Sequence, residues 1–157
     1  MIKYIPDDTA VIFAEIPDEI CLGLNLSNCP HRCPGCHSTY LQTDVGEELT
    51  TEILDSLISK NMGVTCVVFF GGDNDKETLK HFAKHISSKH DLLVGWYSGD
   101  DRLDLNEYGM YFDYIKVGPY RRDLGPLNSR TTNQRLYFIK KCNGGIITED
   151  ITSLFWK

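Results

Sequence analysis

Short apolar runs alternate with segments of helical period along this chain, and that alternation limits its fold more than any other feature. Runs rich in β-branched and aromatic residues lie at about 20–26, 64–70, 92–97, 114–117 and 136–139. Between them, Thr50 is placed to cap a helix carrying Ile53, Leu54, Leu57 and Ile58 on one face, with Gly63 as its stop. Asn74 and Glu77 have the spacing of a capping box, and Leu79, Phe82, Ala83 and Ile86 then recur along one helical face. A shorter helix is expected over about 102–108. Strands separated by helices require crossover connections, so the pattern predicts an α/β fold with a mainly parallel sheet.

A parallel sheet gathers ligands beyond the C-terminal ends of its strands. Three polar segments follow such ends: the cysteines after the first run, Gly71-Gly72-Asp73 after the second, and Ser98-Gly99-Asp100-Asp101 after the third. Residues 118–133, rich in Pro, Gly, Asn and Arg, read as a long loop, and an unstructured loop of that length usually serves a function. The 157 residues suit one domain, with no repeat, low-complexity tract or linker to divide them.

Charge and hydropathy narrow the function. The net charge of −6, without a run of five like charges, argues against nonspecific nucleic-acid binding. Basic residues concentrate only at Lys116, Arg121, Arg122, Arg130, Arg135, Lys140 and Lys141. They form either a solvated face or a docking surface for an acidic partner or anionic cofactor. The apolar stretches are too short to cross a membrane, and the N-terminus lacks the apolar core of an export signal. A cytoplasmic protein without membrane contact is expected.

Six cysteines in such a chain are poor material for a disulfide framework. Cys21, Cys66 and Cys142 stand alone; the first two sit in or beside apolar runs as small hydrophobes, and Cys142 precedes an Asn-Gly-Gly turn. Cys29, Cys33 and Cys36 crowd together as C-x3-C-x2-C, so one tight loop can wrap three thiolates around a soft metal centre. Structural zinc wants four ligands, and the fourth would have to be His37, His31 or a distant cysteine. A 4Fe–4S cluster held by only three cysteines leaves one iron open to substrate. Both readings stand on spacing: the cluster, and a zinc knuckle in a non-catalytic interaction module. His31 and His37 read as loop residues that could donate to cluster sulfides.

The cysteine spacing resembles the signature of the radical S-adenosylmethionine superfamily. The stretch from about 21 to 137 is similar to its smallest members, the activating proteins of anaerobic (class III) ribonucleotide reductases. The likeness rests on CPHRCPGCHS at 29–38, FFGGD at 69–73, GWYSG at 95–99 and NSRTTNQR at 128–135. The chain departs from the family at Val117-Gly118-Pro119, where relatives carry an Asp-Gly-Lys-like stretch. The role of that charge would then fall to Lys116, to Arg121 or Arg122, or go unfilled here.

The resemblance implies a single radical-S-adenosylmethionine domain over 1–157, with its core at about 20–140. Its fold would be an open partial (β/α) barrel of five to six mostly parallel strands, since a full eightfold barrel takes about 250 residues. It implies Cys29, Cys33 and Cys36 as metal ligands and catalytic residues. S-adenosylmethionine would be bound by Gly71, Gly72, Asp73 and Ser98, with His37, Lys116 and Asn133 as further contacts. The implied activity is reductive cleavage of S-adenosylmethionine to a 5′-deoxyadenosyl radical that installs a glycyl radical on the large reductase subunit. A flavodoxin-like protein would supply the electron. An activase for another glycyl radical enzyme is the nearest alternative.

Overall fold

The apolar runs become neighbouring strands in a computed structural model that describes residues 1–156. In chain order, the strands are β1 (Lys3–Tyr4), β2 (Ala10–Ile12), β3 (Cys21–Asn25), β4 (Glu47–Glu48), β5 (Cys66–Phe70), β6 (Leu93–Tyr97), β7 (Tyr114–Val117), β8 (Arg135–Cys142) and β9 (Gly145–Asp150). The helices are α1 (Thr51–Lys60), α2 (Lys76–His90) and α3 (Leu105–Tyr108). β1 and β4 pair separately, and the other seven strands form one sheet in the order β2-β3-β5-β6-β7-β8-β9.

The expected partial (β/α) barrel of five to six mostly parallel strands is overturned by this sheet. β3, β5, β6 and β7 run parallel, but β2, β8 and β9 are antiparallel to their neighbours, giving a mixed seven-stranded sheet with three helices. The reason lies in the connections. Helical crossovers operate only between β3 and β7, whereas residues 118–133 return without a helix and lay β8 antiparallel on β7. A tight turn at Asn143-Gly144, with φ of 44° and 83°, then folds β9 back on β8.

Alternation along the central strands separates two apolar layers. Leu22, Leu24, Val67, Phe69, Val94, Trp96 and Ile115 pack with the helix residues Leu54, Ile58, Leu79, Phe82, Ala83 and Ile86. Cys21, Cys66, Val68, Tyr114, Leu127 and Leu136 form the second layer with Ile16. Cys21 and Cys66 are fully buried register partners, as small hydrophobes would be, and Cys142 is exposed.

The first helix begins as predicted: the Thr50 side chain accepts a hydrogen bond from the Ile53 amide at 3.2 Å. Thr50→Ala should therefore cost about 1 kcal/mol. In urea, the expected result is a lower unfolding midpoint at unchanged slope; an unmoved midpoint would remove the cap from the account of stability. The second helix is capped not by Asn74 but by Asp75, whose carboxylate accepts from the Thr78 amide and hydroxyl at 3.3 and 2.7 Å. The third helix is confined to Leu105–Tyr108 by an Asp104 cap. None of the described helices is long and apolar enough to cross a membrane.

Candidate functional site

The parallel strands β3, β5, β6 and β7 all end on one edge, and the polar segments that follow them meet there. The backbone ties these ends together: Leu26 N donates to Phe70 O at 2.9 Å, Gly71 N to Tyr97 O at 3.1 Å and Ser98 N to Lys116 O at 2.9 Å. Each strand end is thus registered to the next, as a binding edge of a parallel sheet requires.

The cysteine loop leaves β3 at the left-handed Asn28, whose φ is 61°. Its amides are anchored from outside, with Asn28 N donating to Thr43 O at 3.2 Å and Cys29 N to Leu41 O at 2.9 Å. The Asn28 side chain donates to Asp44, which Lys3 also holds at 2.8 Å. A turn from Cys36 N to Cys33 O at 3.1 Å brings the last two thiols to the same rim, and Ser38 N lies 3.4 Å from the Cys36 sulfur.

Cys29, Cys33 and Cys36 line a cavity of about 590 Å³, of the size that holds a small ligand. Its wall also includes His31, His37, Gly71, Asp73, Lys116 and Tyr120. Burial pushes the Cys29 thiol pKa up, so the thiolate is favoured only when a metal centre takes its charge.

Asp73 is the hub of this edge. Its side chain is only 2% exposed. It accepts from Ser98 Oγ at 2.6 Å, from Gly99 N at 2.9 Å and pairs with His31 Nε2 at 3.0 Å. The third contact joins the cysteine loop to the ends of β5 and β6. Gly71 and Gly72 make the approach possible: both have φ near 100°, and a side-chain carbon at Gly72 would lie 2.9 Å from Leu79. Trp96 fixes the same turn by donating its indole N–H to Gly71 O at 2.8 Å.

Lys116 is the buried cation of the site. Its ammonium donates to Gly118 O at 3.0 Å and lies 5.7 Å from the centre of the Tyr97 ring. Burial lowers its pKa to about 8, against the opposing pull of Asp73 and the Cys33 and Cys29 sulfurs. The remaining expected residues are placed less directly. Ser98 is fully buried behind Asp73, Gly72 is buried under Leu26 and Leu79, and His37 packs on Tyr120 with ring centres 5.3 Å apart. Asn133 braces the 118–133 loop by donating to Pro119 O at 3.1 Å, while its buried Oδ1 has no partner among the described residues. Arg121 and Arg122 are exposed.

Sequence reasoning missed the tie between His31 and Asp73, and the cavity contributions of Asn25, Glu15, Tyr97 and Tyr120. Tyr97, which closes β6 beside Ser98, carried a readable signal; Glu15 reaches the site only through the fold. Its backbone carbonyl accepts from the Tyr97 hydroxyl, and burial raises its carboxyl pKa.

The donor set fits a cluster better than a single ion. One zinc bound by thiolates at about 2.3 Å would draw the sulfurs to ~3.8 Å from one another. Among the described residues, the three thiols are not gathered that closely, and the cavity of about 590 Å³ that they line leaves room for a centre of several irons. Among the described residues, no other cysteine reaches the cavity wall. The loop and its cavity thus define an iron–sulfur-binding protein. The chain belongs to the 4Fe–4S single cluster domain family, whose model matches residues 20–117. No curated protein matches the chain, and no solved structure does.

Proposed function

We propose that this protein is a radical S-adenosylmethionine activase, holding its 4Fe–4S cluster on Cys29, Cys33 and Cys36 and acting on a glycine of anaerobic ribonucleoside-triphosphate reductase. The observation that carries the reading is a cavity in which, among the described residues, three cysteines are the only thiols, flanked by a side-chain-free Gly71 and a buried cation. A cluster held by Cys29, Cys33 and Cys36 and recharged by an external one-electron donor such as a flavodoxin would supply the electron for cleaving S-adenosylmethionine to methionine and a 5′-deoxyadenosyl radical, which would take hydrogen from the glycine.

The chain's own residues orient and shield. The three cysteines hold the centre, and the Asp73–His31 contact sets the loop against the strand ends. Asp73 acts as a positioning residue, since its carboxylate is already occupied by Ser98, Gly99 and His31. Gly71 presents backbone to the ligand. Lys116 offers two further N–H donors to an anionic group such as the carboxylate of S-adenosylmethionine, because only one is engaged by Gly118.

Lys116→Met should leave iron content unchanged and weaken S-adenosylmethionine binding about ten- to hundredfold, the worth of one charged hydrogen bond. Equilibrium binding to the cluster-loaded protein measures this, and equal affinities would take Lys116 out of the ligand site. The proposal as a whole is tested by anaerobic incubation with reductant, S-adenosylmethionine and the reductase. Formation of 5′-deoxyadenosine and a glycyl doublet in electron paramagnetic resonance is expected. Cleavage without the doublet would point to a different glycyl radical enzyme as partner. A colourless protein with one zinc and no cleavage would replace the enzyme with an interaction module.

A further inference from the structure

On the helical side of the sheet, away from the cysteine loop, two histidines of α2 converge on one carboxylate of α1. Asp55 Oδ1 lies 2.8 Å from His85 Nε2 and 2.7 Å from His90 Nε2. Each residue offers one ligand atom, and the three atoms all lie within 4.8 Å of one another. From this convergence we infer that Asp55, His85 and His90 form a second metal site, for a single zinc-class divalent ion, independent of the proposed radical chemistry.

The chemistry of the donors selects the ion. Two imidazoles and one carboxylate suit borderline metals such as zinc rather than the oxygen-loving calcium or magnesium. Tetrahedral zinc with such ligands places neighbouring donors ~3.3 Å apart. Opening the two Asp55 contacts by about half an ångström, with the two imidazole nitrogens set about as far apart, would therefore admit the ion. The side chains are 17–25% exposed, so the site lies at the surface with room for a water as fourth ligand. A shallow cavity of about 290 Å³ adjoins His90 and gives that water access.

Lys89 is the competitor. Its ammonium sits 2.7 Å from Asp55 Oδ2, and its own side chain is 57% exposed, so it is free to swing into solvent. An ion at this point would clip the middle of α1 to the last turns of α2.

The test uses anaerobically cluster-loaded protein carrying Cys142→Ser, which removes the exposed thiol as a rival zinc ligand. After dialysis against zinc, this protein should retain one more zinc per chain than the same protein with His85→Ala and His90→Ala. Zinc should also raise its melting temperature, an effect absent from the double variant. Asp55→Asn, which preserves side-chain size, should behave as the double variant does and serves if that variant unfolds. Lys89→Ala should bind zinc several-fold more tightly, a gain that a purely structural ion pair would not produce. Equal zinc content in parent and variants, or no zinc in either, would overturn the site.

Discussion

Cys33→Ala is expected to abolish cluster binding while leaving the chain folded. Reconstituted protein should fall from about four irons per chain to a background level, lose its brown colour and form no 5′-deoxyadenosine. The loss is near complete because two thiolates cannot hold a cubane centre, and His31 is engaged by Asp73 rather than free to replace the third. The fold should survive because Cys33 is only half-buried and belongs to neither apolar layer. Retained iron together with retained cleavage would show that the ligand assignment is wrong.

Asp73→Ala should act first on stability and then on the cluster. It strands the Ser98 hydroxyl, the Gly99 amide and the His31 ring, which now share one buried carboxylate. Losing that acceptor should cost about 2–4 kcal/mol, since Ser98 is fully buried and Gly99 half-buried, while His31 can recover a solvent partner. The melting temperature should drop by about 5–15 °C. Iron should still load, but a chelator should strip it faster than from the parent, because the cysteine loop has lost its link to β5 and β6. Asp73→Asn, which keeps one acceptor oxygen, should fall between the two. Parent-like melting and parent-like iron release would deny Asp73 its positioning role.

The central strands were legible because their apolar runs are short, β-branched and bounded by turns. Tyr114–Val117 was readable to the residue, and the apolar faces of α1 and α2 appear where their periodicity put them. The outer strands were not legible. β9 is Gly-Ile-Ile-Thr-Glu-Asp, exposed at nearly every position, so no buried face imprints alternation on it. β2 is three residues long and partly exposed, too brief for a period to register. Those strands turn a mostly parallel expectation into a mixed sheet.

The candidate site divides in the same way. Cysteine spacing is local, so the ligand loop could be read from eight consecutive positions. Asp73 and Ser98 could be gathered because each follows a strand of a parallel set, whereas Lys116, inside β7, was singled out by its basic neighbours and the family resemblance. The contact between His31 and Asp73 spans 42 positions, and the Asp55 cluster draws on two helices. Neither leaves a pattern in sequence until the strands are ordered.

The cysteine loop takes its shape from the carbonyls of Leu41 and Thr43 and from the Asp44 carboxylate, none of which belongs to the metal centre. Damage by oxygen would therefore strip away the inorganic part and leave its cradle standing. Incoming iron and sulfide would meet a receptor already formed, so reloading would require no refolding step.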